Sequence, residues 1–506
     1  MRDLLCLDDS GEIIMNESVT ILFPVILPVL AGILLLVGKE PVRKNSLALY
    51  TGTVLVVTAL LSLGIICGRE ASFTLFFLTG RLPVYFHIDS VGKIFAAIVT
   101  VVWVLAGFFS FEYMKKEKEA KRFFGYYLIG YGIVLALDFA GNLITFYAFY
   151  EMMTLLTMPL VLQERTRASV MAALKYMFYS FCGAYMVLFG LYFVYRYANT
   201  LSFTAKGVLD PALMEGQEGL LLMVAFFMIL GFSVKAGMFP FHGWLPVAHP
   251  VAPAPASAVL SGIIAKAGVL GVIRVIFYIF GDDFLRGTWV QTVLLILSLI
   301  TVFMGSMLAY IEKGLKKRLA YSTVSQVSYI LFGLFMMDAS SVTGSLLHVV
   351  FHAFIKGGLF LCAGAIIYQT GRHRVEELTG IGKEMPVTIW GFTICSLALI
   401  GIPPASGFIS KWYLCVGALH TGMPVFSWLG PVVLLISALL TAGYLLPVTI
   451  QGFFPGSDYD YASLVKKEPV KMMVVPIALL AALALLLGVV PQGLLQSFSD
   501  IAAQML

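Results

Sequence analysis

About fourteen runs of some twenty predominantly apolar residues follow one another along the chain, each long enough to cross roughly 30 Å of hydrocarbon as a helix. No other feature constrains the fold as much. In a bilayer every backbone polar group must be satisfied internally, which leaves helices or closed barrels, and runs of this length are helical. The spans fall at about 19–38, 46–67, 90–111, 123–140, 142–162, 172–195, 219–240, 257–280, 290–311, 318–337, 343–368, 387–419, 431–453 and 472–494. Composition agrees, since 60% of the 506 residues are apolar and only 12% charged, against about 25% charged in a soluble domain. The expected class is an all-α polytopic membrane protein, one membrane domain over residues 1–506. Val19–Gly38 follows an acidic leader with no small-x-small cleavage site, so it reads as a retained helix, with Met1 and Met15 both open as the start. Ser72–Leu78 and Leu82–Ile88, β-prone on either side of Thr79-Gly80-Arg81, predict a small hairpin.

The basic residues test this span list. The loops after spans 1, 3, 5, 9, 11 and 13 hold 20 Lys and Arg, Lys313, Lys316, Lys317 and Arg318 among them, and the opposite side holds six. Adding or dropping a span destroys that alternation. By the positive-inside rule the basic face is cytoplasmic and both termini lie on the other side, in a multi-pass protein of the cell membrane. The net charge of +5 therefore belongs to topology and is no nucleic-acid footprint. Six cysteines, with no CxxC, suggest neither a cluster nor a disulfide frame.

The remaining basic residues lie in or at the edges of the spans, where a lone charge costs about 2.5–3.5 kcal/mol at the bilayer centre. Five or six of them would forfeit on the order of 15 kcal/mol unless paired or hydrated, which a passive scaffold would not require. Glu151 lies mid-span as a carboxylate able to carry a proton or tune a lysine. Lys235, in Gly231-Phe-Ser-Val-Lys-Ala-Gly-Met-Phe-Pro240, sits where glycines and a proline loosen the helical ladder. Lys266 is flanked by small residues that admit close helix approach. Arg274, two turns on, keeps its proton and reads as an electrostatic anchor. His348, His352 and Lys356, at i, i+4 and i+8, form one helical stripe; with no third metal ligand nearby, a proton relay is a better reading than a metal site. Lys411 follows a second break, Gly401-Ile-Pro-Pro-Ala-Ser-Gly407. Two broken helices in corresponding places point to paired ion sites. Leu174–Phe181 also aligns with Leu347–Phe354, setting Lys175 opposite His348. A repeat offset by five helices is inverted, giving units 123–280 and 290–453.

The run Pro240-Phe-His-Gly-Trp-Leu-Pro-Val-Ala-His249, continuing Pro250-Val-Ala-Pro-Ala-Pro-Ala-Ser257, resembles the signature of the antiporter-like subunits shared by respiratory complex I, Mrp-type sodium/proton antiporters and membrane-bound energy-converting hydrogenases. The resemblance covers nearly the whole chain. It implies 14 helices, two inverted five-helix repeats and broken helices 7 and 12. Carried over by motif, it assigns proton translocation to Glu151, Lys175, Lys235, Lys266, His348 and Lys411, with His352, Lys356 and His242 as further relay candidates. His242 and His249 would stand at the cytoplasmic mouth. Lysine rather than glutamate at 411 is similar to other complex I copies and Mrp D subunits, a chain ending soon after span 14 is unlike the largest complex I subunit or Mrp A, and the histidine-proline-rich run after span 7 looks closest to Mrp D and hydrogenase-type members.

The function expected is therefore proton translocation, with sodium left open, by a subunit of an Mrp, complex I-like or hydrogenase complex. Its partners would be other membrane subunits and the lipid bilayer. No motif for nicotinamide, flavin, iron–sulfur or metal is present, so enzyme status would come only from a redox complex around it. A self-sufficient cation or solute transporter using Glu151 and Asp138 is the alternative, and a passive scaffold the third reading.

Overall fold

The computed structural model describes residues 5–7, 13–15, 17–39, 44–79, 82–457, 459–461 and 464–506. Met1, the loop cation Arg43 and the hairpin turn residues Gly80 and Arg81 lie outside them. Helices α1 (Phe23–Val37), α2 (Lys44–Ile66), α3 (Ser90–Tyr113), α4 (Ala120–Asp138), α5 (Leu143–Val161) and α6 (Arg167–Tyr197) follow the first six predicted spans. Two antiparallel strand pairs accompany them, β1 (Leu5–Leu7) with β2 (Ile13–Met15), and β3 (Ser72–Thr79) with β4 (Leu82–His87). The second pair is the expected hairpin, running from Ser72 opposite His87 to Thr79 opposite Leu82 with the register shifting between Thr74 and Phe76 and between Phe77 and Thr79.

Helix starts follow from side chains that take up the first free N–H groups. Asp89 accepts from Gly92 N at 2.8 Å, Asn142 from Thr145 N at 2.8 Å, and Asp338 from Ser340 N and Ser341 N at 3.0 and 3.1 Å. The seventh span is broken as its glycines and proline predict. Helix α7 (Glu218–Ala236) stops at Gly237, whose left-handed φ of +81° is open to a residue without a Cβ, and α8 (Leu245–Val251) resumes after a 3₁₀ turn over Phe241–Trp244. After α9 (Ala254–Phe280), α10 (Trp289–Ile311), α11 (Leu315–Met336) and α12 (Ala339–Thr370), the chain breaks again. Helix α13 (Pro386–Ile400) ends at Gly401 with φ +93°, and α14 (Ser406–His420) continues beyond it. Helices α15 (Phe426–Phe453), α16 (Lys471–Val489) and α17 (Gln492–Met505) complete the order.

Among the described residues, twelve helices are long and apolar enough to cross a membrane; α4 and the half-helices α13 and α14 are not among them. The molecule is thus an all-α, multi-pass membrane protein. Its most apolar stretches are buried very unevenly. The best windows of α9, α11 and α12 are 94% buried, whereas those of α2, α15 and α16 are only 28–33% buried. Three helices are therefore enclosed by the rest, and they carry Lys266, Arg274, His348, His352 and Lys356.

One expectation is corrected. Lys316 and Arg318 do not lie in a solvated loop but on the first turn of α11, 8% and 9% exposed. They are held there because Lys316 Nζ donates to Ala252 O at 2.6 Å, and Arg318 to Glu312 O and Tyr444 O, each at 2.8 Å. Past the last predicted span, α17 lies against α12 through Phe498, Ala502 and Met505. Its other face carries Gln496, Ser497 and Asp500, too polar to read as an apolar run.

Candidate functional site

At the first break, Lys235 sits on the last turn of α7 and is 1% exposed. Its Nζ donates to Thr154 Oγ1 and lies 4.4 Å from the centroid of the Tyr150 ring and 5.7 Å from that of Tyr176. Two ring faces in a dry site offer a cation about 2 kcal/mol or more. Tyr176 is in turn fixed by its hydroxyl 3.1 Å from Thr157 Oγ1 and by its ring against Trp244, 4.8 Å away. Glu151 lies on α5 between Tyr150 and Thr154, and its Oε1 is buried with no hydrogen-bond partner. No ion pair within 4.0 Å joins it to Lys235. The lysine is thus held by neutral groups, close to a carboxylate with one unpartnered oxygen and not joined to it by a salt bridge.

Lys175 lies half-buried on α6 at the side of the break, its Nζ 6.0 Å from the Tyr179 ring. A Cβ at Gly243 would stand 3.7 Å from that Nζ, which sets the lysine against the 3₁₀ turn carrying His242. His242 stacks on Phe239 at 6.1 Å, and its Nδ1 is buried without a partner. His249 is not at a mouth. It is completely buried on α8, because the chain folds back inward after the break instead of running out to solvent.

The central lysine owes its setting to an irregular helix. Leu260–Ile264 in α9 is a π-helical turn, a distortion that frees a backbone carbonyl and recurs at functional sites. Lys266 Nζ donates to Ser261 O, within that turn, at 2.5 Å and meets His352 Nδ1 at 2.6 Å. The three groups of the α12 stripe then diverge. His352 faces Lys266. His348 stacks on Tyr329 with its Nδ1 2.8 Å from Ser410 Oγ on α14. Lys356 turns toward α11, donating to Leu319 O at 2.9 Å and to Ser322 Oγ. The two imidazole centroids are 5.8 Å apart and both Nε2 atoms are buried without partners.

At the second break Lys411, on α14, reaches back to the end of α13, donating to Leu399 O at 2.6 Å and Ile400 O at 2.9 Å. These are helix-terminal carbonyls that the break leaves unpaired. The Tyr329 ring lies 5.0 Å away. Lys266, His352, His348, Ser410 and Lys411 are thereby brought into one buried row across α9, α12 and α14. Glu151, Lys175, Lys235 and His242 form a second group around the first break, and Lys356 is set to one side.

Sequence reasoning missed the aromatic and hydroxyl supports Tyr150, Thr154, Tyr176, Tyr329 and Ser410. Adjacency was the available signal, since Tyr150 and Ser410 directly precede Glu151 and Lys411. It did place Arg274 as an anchor. The guanidinium is 1% exposed and bidentate on Asp89, with one contact at 2.8 Å, between the rings of Phe203 and Tyr278.

Residues 140–441 match the family model described as NADH:quinone oxidoreductase/Mrp antiporter, TM, and residues 77–124 match that of the NADH-ubiquinone oxidoreductase (complex I) chain 5 N-terminus. The chain belongs to this antiporter-like family. It is 34% identical to NADH-quinone oxidoreductase subunit N of Desulforudis audaxviator, over 68% of this chain and 67% of that one. It is 30% identical to hydrogenase-4 component B of Escherichia coli, over 82% of this chain but only 64% of that relative's length. Against the D-type member of the Na(+)/H(+) antiporter of Alkalihalophilus pseudofirmus the figures are 27%, 84% and 85%. The fold matches a chain of the Mrp complex from Dietzia sp. DQ12-45-1b with a TM-score of 0.84 and 21% identity, over 97% of this chain and 98% of that one. A chain of respiratory complex I from Thermus thermophilus matches with a TM-score of 0.78 at 23% identity, over 96% and 99%.

Proposed function

We propose that this family member translocates protons across a cell membrane as one subunit of a multisubunit complex, with Glu151, Lys175, Lys235, Lys266, His348 and Lys411 as carriers and His352 as a bridge. The observation that carries this is the buried row from Lys266 through His352 and His348 to Lys411. Its 2.6 and 2.8 Å contacts and unpaired ring nitrogens supply the donors and acceptors that a chain of water needs. Lys235, held by Thr154 and two rings, acts as the switch. When its amine swings to Glu151 the charge near Lys266 changes, and the proton on Lys266 moves toward His352.

The relatives' names are those of subunits and components of larger assemblies, which favours membrane partners over a self-sufficient transporter. In this reading residues 123–280 and 290–453 are inverted repeats within fourteen spans, each broken at its ion site, with the basic loops cytoplasmic and both termini outside. The test is the complex purified through this subunit, its composition read by mass spectrometry and its proton transport compared in liposomes with a Lys235→Ala version. Loss of transport with unchanged composition is expected. A Lys235→Ala complex running at the wild-type rate overturns the scheme.

A further inference from the structure

Helices α2, α3 and α16 leave two cavities side by side at the basic face. One of about 630 Å³ lies between α2 and α3, one of about 410 Å³ between α3 and α16, and Phe108 and Met472 wall both. Gly52 lines the larger, where a Cβ would stand 3.5 Å from the Phe111 ring, so the missing side chain is part of the space. The smaller is lined by apolar residues apart from Lys471, the first residue of α16. Leu49, Val475 and Leu479 on the walls are exposed.

The depth of this double cleft is that of one leaflet. From Lys115 back to Val104 its lining covers about 16 Å along α3, against roughly 30 Å of hydrocarbon. On α2 and α16 the lining stops near the middle of the helix, at Val57 and Leu479. A helix of another subunit would need a channel through the whole thickness, whereas two adjoining half-length clefts suit the two chains of one phospholipid. The open end is positive. Lys471 is exposed and makes no ion pair among the described residues. It starts a helix whose N-cap, Val470, supplies no side-chain acceptor, so the first N–H groups add to its charge. Glu468, the nearest carboxylate in sequence, is committed to α13, accepting from Val387 N and Thr388 N at 2.9 Å each. Lys115 lines the neighbouring mouth and shares its charge with Glu112 at 2.6 Å. Basic pockets between membrane helices take up anionic headgroups.

We propose that this cleft binds one anionic phospholipid from the leaflet at the basic face, with its phosphate at Lys471 and its two acyl chains on either side of Phe108 and Met472. The lipid closes the gap that the protein leaves between α2 and α16. The site depends on the chain's membrane setting and is independent of which ion the chain carries.

The test uses the whole complex in liposomes doped with phosphatidylglycerol or phosphatidylcholine bearing the same photoreactive acyl chain, with labelled peptides mapped by mass spectrometry. Labelling of 48–57, 104–111 and 472–479 is measured against Phe303 and Met307, which are exposed toward the same end of α10. Phosphatidylglycerol is expected to label the cleft about fivefold more than phosphatidylcholine, the equivalent of about 1 kcal/mol for one lysine. Lys471→Glu is expected to abolish that preference and leave phosphatidylcholine labelling as it was, and Gly52→Phe to lower labelling of 48–57 by both lipids. Equal labelling by the two lipids in the wild type makes the cleft ordinary lipid-facing surface and overturns the proposal. Cross-linking of these residues to a neighbouring subunit in place of lipid, or an unchanged preference in Lys471→Glu, overturns it as well. If Gly52→Phe does not assemble, Lys471→Glu decides, since its side chain is exposed.

Discussion

At the scale of single residues, the charges divide into those held by opposite charges and those held by neutral groups. Arg274 belongs to the first kind. Removing one partner of a buried pair leaves the other uncompensated, so Arg274→Ala should cost about 3–5 kcal/mol and lower the melting temperature and yield of the complex. Burial alone would raise the Asp89 carboxyl, but the Arg274 guanidinium and the Gly92 N–H outweigh it and hold it below its usual range. That lowered value means a contribution to stability present above the ordinary aspartate range near 3.8 and lost as pH falls through the folded value. Glu117 has the opposite sign. Its raised carboxyl favours the fold at low pH and opposes it as pH climbs from the ordinary glutamate range through the folded value. Melting curves at pH 7 should therefore show Asp89→Asn destabilised and Glu117→Gln neutral or stabilised; both variants falling alike would contradict the assignment. Intramembrane Lys, Glu and His were legible in the sequence because each stands alone in apolar surroundings. Their tyrosine and serine supports were not, because such residues are ordinary within helices and acquire meaning only across them.

At the scale of elements, both breaks were legible from glycine and proline, but their different uses of lysine were not. Lys235 stands on the stem before its break and touches a side-chain hydroxyl, whereas Lys411 stands after its break and caps backbone carbonyls. Removing Lys411 therefore exposes two unpaired carbonyls, at about 1–3 kcal/mol for the desolvated groups. Lys411→Met should loosen residues 399–405 in hydrogen exchange, while Lys235→Met leaves the amides around Gly237 as protected as before. Equal protection in the two variants would remove this distinction. Lys316 and Arg318 show the converse limit. A run of four basic residues reads as a loop, and only the neighbouring Ala252 and Tyr444 carbonyls explain why two of them are drawn inside.

At the scale of the whole molecule, loop charges predict the orientation. Alkaline phosphatase fused after residue 506 should be active and green fluorescent protein there dark, with the reverse for fusions in the 464–470 loop; the same result at both sites would refute the proposed topology. The enclosed core was legible as polytopic helix, but which spans lie innermost was not, since amphipathicity is muted when nearly every face is apolar. That inner position has a mechanical meaning. Helix α12 has 32 residues and runs unbroken for about 48 Å, so His348, His352 and Lys356 are fixed on one stiff rod and cannot approach each other. Their spacing works like the gap between fixed electrodes. With imidazole centroids 5.8 Å apart, conduction along the proposed row would wait on whether the gap is wet, and its moving parts would be the amines and hydroxyls that face the rod. The current through such a device is governed by its humidity more than by its geometry.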